Sequence, residues 1–188
     1  FNFEAVAYPY SVFYPADFYT TSGSLRFYEE QPLVKNTHDH KLMVMAGYST
    51  TNEVTLNNLC GIVSIPFVNK YEGENITVDK VIVTTAMGDP IAGKYHINYR
   101  TNALTVVSGK SSIVLEPEVE DSFTIEPEAT VNISFVVPRG SIRNGLKLNI
   151  YSSVGIVENH KIFPTGVNVR SGETATADTY TYQEVKID

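Results

Sequence analysis

The chain has 188 residues, a formal net charge of −7 and a pI near 5.1, with 43% hydrophobic and 19% charged residues. That apolar share supports one large core or two small ones and argues against wholesale disorder. No basic stripe marks a general nucleic-acid binder, no run of about 18 apolar residues marks a membrane-spanning helix, and a single cysteine excludes an internal disulfide framework or a cysteine-based zinc site.

The first 28 residues are dense in aromatic rings, from Phe1, Phe3, Tyr8 and Tyr10 through Phe13, Tyr14, Phe18 and Tyr19 to Phe27 and Tyr28. Pro9 and Pro15 prevent one continuous strand there. Two readings follow: rings packed over one end of a sandwich, or a stacking surface for sugars or a partner that uses Tyr10, Tyr14 and Tyr19. Asn36-Thr37-His38-Asp39 reads as a solvated turn. A Ser/Thr/Asn cluster at 48–51 marks a loose boundary. It divides an aromatic-rich N-terminal β segment, 1–50, from a β-sandwich domain, 51–188.

Beyond that boundary the periodicity is two almost everywhere. Gly61 to Val68, Ile76 to Thr85 and Ser111 to Leu115 read as buried strands rich in Val, Ile and Thr. Pro66 places the first of these at an edge or a bulge. Val131, Ile133, Phe135 and Val137 alternate with their neighbours, as do Leu146, Leu148 and Ile150, so each set lies on one strand face. Turn signals recur at Glu72-Gly73, Gly88-Asp89-Pro90, Ser108-Gly109-Lys110, Arg139-Gly140, Asn144-Gly145 and Ser171-Gly172. No 3.6-residue pattern runs beyond ten residues. The expected fold is all-β, an antiparallel β-sandwich with little or no helix.

No motif assembles a catalytic constellation. His38 and His40 flank Asp39, but no third ligand is near in sequence. The acidic stretch that holds Glu116, Glu118, Glu120, Glu126 and Glu128 is broken by Pro117 and Pro127 and reads as a solvated loop. Its carboxylates lack a calcium-loop pattern, and nothing fixes their spacing for glycoside hydrolysis. Cys60 has apolar neighbours and reads as a small hydrophobe. Ser108-Gly109-Lys110-Ser111 ends like a phosphate loop, but Leu104 stands where the loop needs glycine. The sequence therefore points to a protein without enzymatic activity, cofactor or metal.

Several segments together resemble a family. Ala5-Val6-Ala7-Tyr8-Pro9-Tyr10, Leu42-Met43-Val44-Met45-Ala46, Leu56-Asn57-Asn58-Leu59-Cys60-Gly61, Ile91-Ala92-Gly93, Phe135-Val136-Val137-Pro138 and Asn144-Gly145-Leu146 are similar, in order, to segments of fimbrillin-like surface proteins, the type V pilus group. The resemblance implies a transthyretin-like, Greek-key sandwich. It also implies export to the cell surface or outer membrane, with a membrane attachment only through a lipid anchor outside these residues. Partners would be other fimbrial subunits or host and bacterial surface ligands, joined by β-strand addition. The tail from Thr179 to Asp188 is a candidate exchanged strand: Tyr180 and Tyr182 share one parity, Val185 and Ile187 the other, and a bulge would align all four. The competing reading is a terminal strand packed on its own sheet. A glycan-binding sandwich module of a surface lipoprotein is the alternative function.

Overall fold

The structure, a computed structural model, describes residues 7–20, 23–71, 73–119 and 123–183. Its strands run in the order β1 (Tyr10–Tyr14), β2 (Leu25–Phe27), β3 (Glu30–Pro32), β4 (Met45–Ser49), β5 (Asn57–Asn58) and β6 (Cys60–Asn69). There follow β7 (Ile76–Thr85), β8 (Ala92–Asn98), β9 (Ala103–Lys110), β10 (Ser112–Glu116), β11 (Thr124–Ile125) and β12 (Thr130–Pro138). The last are β13 (Gly140–Ile142), β14 (Leu146–Ser152), β15 (Gly155–Ile162), β16 (Val167–Val169), β17 (Thr174–Thr176) and β18 (Tyr180–Tyr182). Among the described residues, helix is confined to two single 3-10 turns, Ala16–Phe18 and His40–Leu42. The all-β sandwich expected from the period-two pattern is present.

Two sheets face each other. One has the order β15-β14-β7-β10-β3, with β11 on the far end of β7; the other has β12 and β6, with β17 and β18 end to end along the free flank of β6. Most neighbours are antiparallel, but β3 with β10, and β17 and β18 with β6, run parallel. The inner faces meet in one apolar core. Val63, Ile65 and Phe67 of β6 and Ile133, Phe135 and Val137 of β12 pack against Val81 and Val83 of β7, Ile113 and Leu115 of β10 and Leu148 and Ile150 of β14. Alternate residues on one side of each strand supply this core because successive Cβ atoms point to opposite faces.

A smaller layer lies on the back of the second sheet. It consists of β1-β4-β5 and β2-β8-β9. A second apolar cluster joins it to the sandwich: Phe18, Leu25, Phe27, Val44, Ala46, Leu59, Tyr95 and Ile97 enclose Cys60 of β6 and Val136 of β12. Cys60 and Val136 have the opposite parity to the inner-face residues of their strands, so one sheet serves two cores.

Three expectations need correction. Pro66 is not on an edge strand: β6 is flanked by β12 on one side and by β17 and β18 on the other. On the second flank Ile62 donates to Glu173, Ser64 accepts from Ala177 and Lys70 donates to Tyr182. Position 66 shares their parity, and its missing N–H falls in the gap between the end of β17 and the start of β18. Ser108-Gly109-Lys110 is not a turn but the end of β9. A Cβ on Gly109 would lie 2.6 Å from the Pro90 Cβ, so this glycine permits a close approach rather than a reversal. The acidic stretch is not wholly solvated, because Phe123 and Ile125 enter the main core and β11 pairs with β7.

Candidate functional site

The tail residues fall as follows. Tyr180 and Tyr182 lie on β18, whose three residues pair with Phe67, Val68 and Asn69 of β6. Tyr182 is 3% exposed. Its ring centroid is 4.9 Å from that of Tyr180 and 5.9 Å from that of Phe67. Burial pushes its phenol pKa well up. Tyr180 is half-buried between Phe67 and His160, with centroids 5.2 and 4.7 Å away. Burial shifts Tyr180 upward and His160 downward, since each is disfavoured in its charged form. Val185 and Ile187 lie outside the described residues.

The three candidate surface tyrosines do not share one face. Tyr10 and Tyr14 have the same parity on β1, and Tyr14 is exposed. Tyr8 adds a ring 5.7 Å from that of Tyr10. Tyr19 instead stacks on Phe13 at 4.7 Å, on the opposite parity. Its hydroxyl is 3.4 Å from that of Tyr99, whose ring meets Phe13 edge-on. Burial, followed by the Tyr19 contact, pushes the Tyr99 phenol up to about 12.

The polar motifs are largely occupied by the fold. Asp39 caps the second 3-10 turn by accepting from the Lys41 N–H at 2.9 Å, while the His38 and His40 rings lie 4.7 Å apart. Among the described residues, no group of three or more His, Cys, Asp or Glu is placed to hold a metal ion. Glu116 and Glu118 line a shallow hollow of about 240 Å³ with Glu30, Gln31, Pro32 and Val114. Glu116 is drawn to Lys80 at 2.6 Å, and Glu120 lies outside the described residues.

Strand edges are the remaining candidate feature, and most are protected. Along the outer edge of β12, Gln31 Nε2 donates to the Val136 carbonyl at 2.7 Å, and its Oε1 accepts from the Val136 N–H at 2.9 Å. Asn36 does the same at Asn132, using its own N–H and Oδ1. Strand β15 carries Glu158 and Lys161, a register shift against β14, and Asn159 at φ 55°. Strand β1 is bracketed by Pro9 and Pro15. Charges, bulges and prolines all discourage edge-to-edge pairing.

Strand β9 lacks most of these devices. From Ala103 to Gly109 it has no charge and no proline, and every residue but Leu104 is exposed. Val106 and Val107 are 47% and 49% exposed. Among the described residues β9 pairs only with β8. A register shift opposite Lys94 and Tyr95 makes Val107 the extra residue of a bulge. The period-two reading did not single out this strand, because its residues alternate in neither polarity nor burial.

The sequence matches no protein-family model and no curated protein. The fold is similar to solved structures from Bacteroides. A proposed cell adhesion protein of Bacteroides ovatus aligns with a TM-score of 0.54 and 11% identity, over 90% of this chain and 61% of that one. A proposed cell adhesion protein of Bacteroides uniformis gives 0.46 and 9%, over 90% of this chain and 66% of that one. A third, of Bacteroides thetaiotaomicron, gives 0.37 and 11%, over 95% and 69%. The chain thus spans about three-fifths of the length of the Bacteroides ovatus protein, with which it shares a fold.

Proposed function

We propose that this chain is a non-enzymatic cell-surface fimbrial subunit or adhesin that assembles or adheres through β-strand addition. The observation that carries the reading is β9, an eight-residue edge without charge or proline before its last residue, in a fold whose other long edges are capped, charged or bracketed by proline. An incoming strand would find unpaired backbone groups there and would cover Val106 and Val107. The cell adhesion role proposed for the Bacteroides ovatus neighbour agrees with this one. So does the ordered resemblance to fimbrillin-like proteins. A surface location on the outer membrane, fimbrial or surface-ligand partners, a lipid anchor outside this chain and no role with nucleic acid all belong to the same proposal.

The C-terminal segment is the proposed donor. Strand β18 holds to β6 by three residues only, and Tyr180 and Tyr182 supply its anchoring rings. The test treats the protein with an arginine-specific protease and runs it unboiled on a denaturing gel. A ladder of detergent-resistant multimers is expected. The ladder should be lost when Tyr182 and the residues after it are deleted, or when Val106→Lys places a charge on the β9 edge. A single monomer band, or a ladder that both variants preserve, overturns strand addition at these sites. The glycan-binding alternative is favoured by the exposed rings of Tyr8 and Tyr14 beside Tyr10.

A further inference from the structure

The outer face of β2-β8-β9 has a charge pattern that the fold does not require. On β2, Leu25 and Phe27 are buried and Arg26 points outward; on β8, Tyr95 and Ile97 are buried while Lys94, His96 and Asn98 point outward. The register sets Arg26 directly opposite Lys94. Like charges facing each other across neighbouring strands are destabilising. Arg26 is held further in place by the Tyr28 ring, whose centroid is 5.0 Å from the guanidinium carbon. From Ile91 to Leu115 the sequence contains no Asp or Glu, although the chain as a whole carries −7. Lys110 at the end of β9 is partly neutralised by Glu29 at 3.5 Å and Arg100 lies over the Tyr48 ring, 5.8 Å from its centroid, so the two facing cations without a counter-charge among the described residues are Arg26 and Lys94.

We propose that this face binds a linear anionic polysaccharide, with Arg26 and Lys94 meeting its carboxylate or sulfate groups. The setting is the adhesion reading above, for which the inference names a ligand chemistry. The rest of the face decides between a glycan and an acidic peptide. Beside the two cations stand His96, Asn98, Thr105 and Ser108, which lie opposite one another in register or along one strand. These imidazole, amide and hydroxyl groups suit sugar hydroxyls. A bound peptide would instead need pockets for alternate side chains, and this face presents polar groups. An anion laid across the like-charge pair relieves its repulsion, so binding and the local electrostatic cost are linked.

The test measures retention of the full chain on immobilised heparin and on immobilised polygalacturonate, with neutral dextran and poly-L-glutamate as comparisons. Despite its pI of about 5.1, the protein should be retained by at least one anionic polysaccharide at low salt and pass through dextran. The double variant Arg26→Gln/Lys94→Gln should weaken binding and lower the slope of log affinity against log salt by roughly 2, one for each lost cation. A control that removes two exposed cations elsewhere, Lys41→Gln/Lys161→Gln, should leave retention unchanged. Both variants alter exposed side chains, and unchanged circular dichroism would verify their folding. Three results would each overturn the proposal: no retention on either polysaccharide, equal loss in the control variant, or equal or tighter binding to poly-L-glutamate. None of them bears on the multimer ladder, and loss of that ladder leaves glycan retention untouched.

Discussion

Asp89 holds Arg143 with both carboxylate oxygens. Its Oδ2 accepts from the Arg143 backbone N–H at 2.6 Å, and its Oδ1 accepts from Nε at 2.9 Å and Nη2 at 2.7 Å. The pair ties the turn after β7 to the turn before β14, where Ala86 also donates to the Gly145 carbonyl. Asp89 is nearly covered while the Arg143 side chain is open to water, so the contact is more a geometric clasp than a strong ion pair.

That clasp sets a pH dependence. The hydrogen bonds from Arg143 hold the Asp89 carboxyl below its ordinary value of 3.8. A carboxyl depressed on folding contributes stability that is fully present above its unfolded pKa and is lost as pH falls through the folded one. Asp89→Asn should therefore lower the thermal midpoint by roughly 2–4 °C at neutral pH. The gap from the native chain should close at pH values below the carboxylate range. A gap of constant size across the titration would show that the charge on Asp89 plays no part.

Cys60 should be chemically silent in the folded chain. Its Sγ lies 3.7 Å from the Val44 carbonyl oxygen and 3.8 Å from the Met43 sulfur, with no exposed surface. Burial pushes the thiol up to about 11, so almost no thiolate exists at pH 8. Iodoacetamide at that pH should leave the native protein unlabelled and modify one site per chain once guanidinium is added. Rapid native labelling would mean that the layer over β6 opens on the timescale of the reaction.

The sandwich was legible where alternation was unbroken, as in Val131 to Val137, and became illegible at the bulges. In β7 the buried set is Ile76, Val78, Val81 and Val83, and the register shift at Asp79–Lys80 moves it from even to odd positions. No local residue signals that change. Gly109 was misread because glycine marks both turns and close approaches, and only the position of Pro90 decides which. Pro66 was misread for a similar reason: the gap between β17 and β18 that accommodates it is made by residues more than a hundred positions away. The candidate site was legible as residue types but not as faces. The 3-10 turn after β1 carries Tyr19 onto Phe13 and away from Tyr10 and Tyr14, and strand register sets Arg26 against Lys94.

Aromatic residues should divide sharply by role. Tyr182→Ala removes a ring packed among Tyr180, Phe67 and the main core, and should cost about 3 kcal/mol in urea unfolding. Tyr14→Ala removes an exposed ring and should change stability by less than about 0.5 kcal/mol. Similar losses at both positions would mean that the β1 tyrosines are structural and not available to a ligand.

Asn69 makes the last prediction, because it is a wholly buried amide at the end of β6 with three hydrogen bonds directed to two separate segments. Its Nδ2 donates to the Glu74 carbonyl at 2.8 Å and to the Ile125 carbonyl at 3.0 Å; its Oδ1 accepts from the Tyr71 N–H at 2.9 Å. It thereby joins the turn after β6 to β11. Asn69→Ala leaves all three backbone groups without this partner and should cost about 2–4 kcal/mol. Asn69→Asp separates packing from hydrogen bonding, since the shape is kept but an ionised carboxylate cannot donate to two carbonyls. Burial beside those carbonyls raises the pKa of such a carboxyl, so its stability would be fully present only in acid and lost as pH rises above the ordinary carboxylate range. The aspartate variant should thus unfold more easily at pH 7 than at pH 4 relative to the native chain. Equal destabilisation at both values would show that the two donated bonds contribute little to this end of the sandwich.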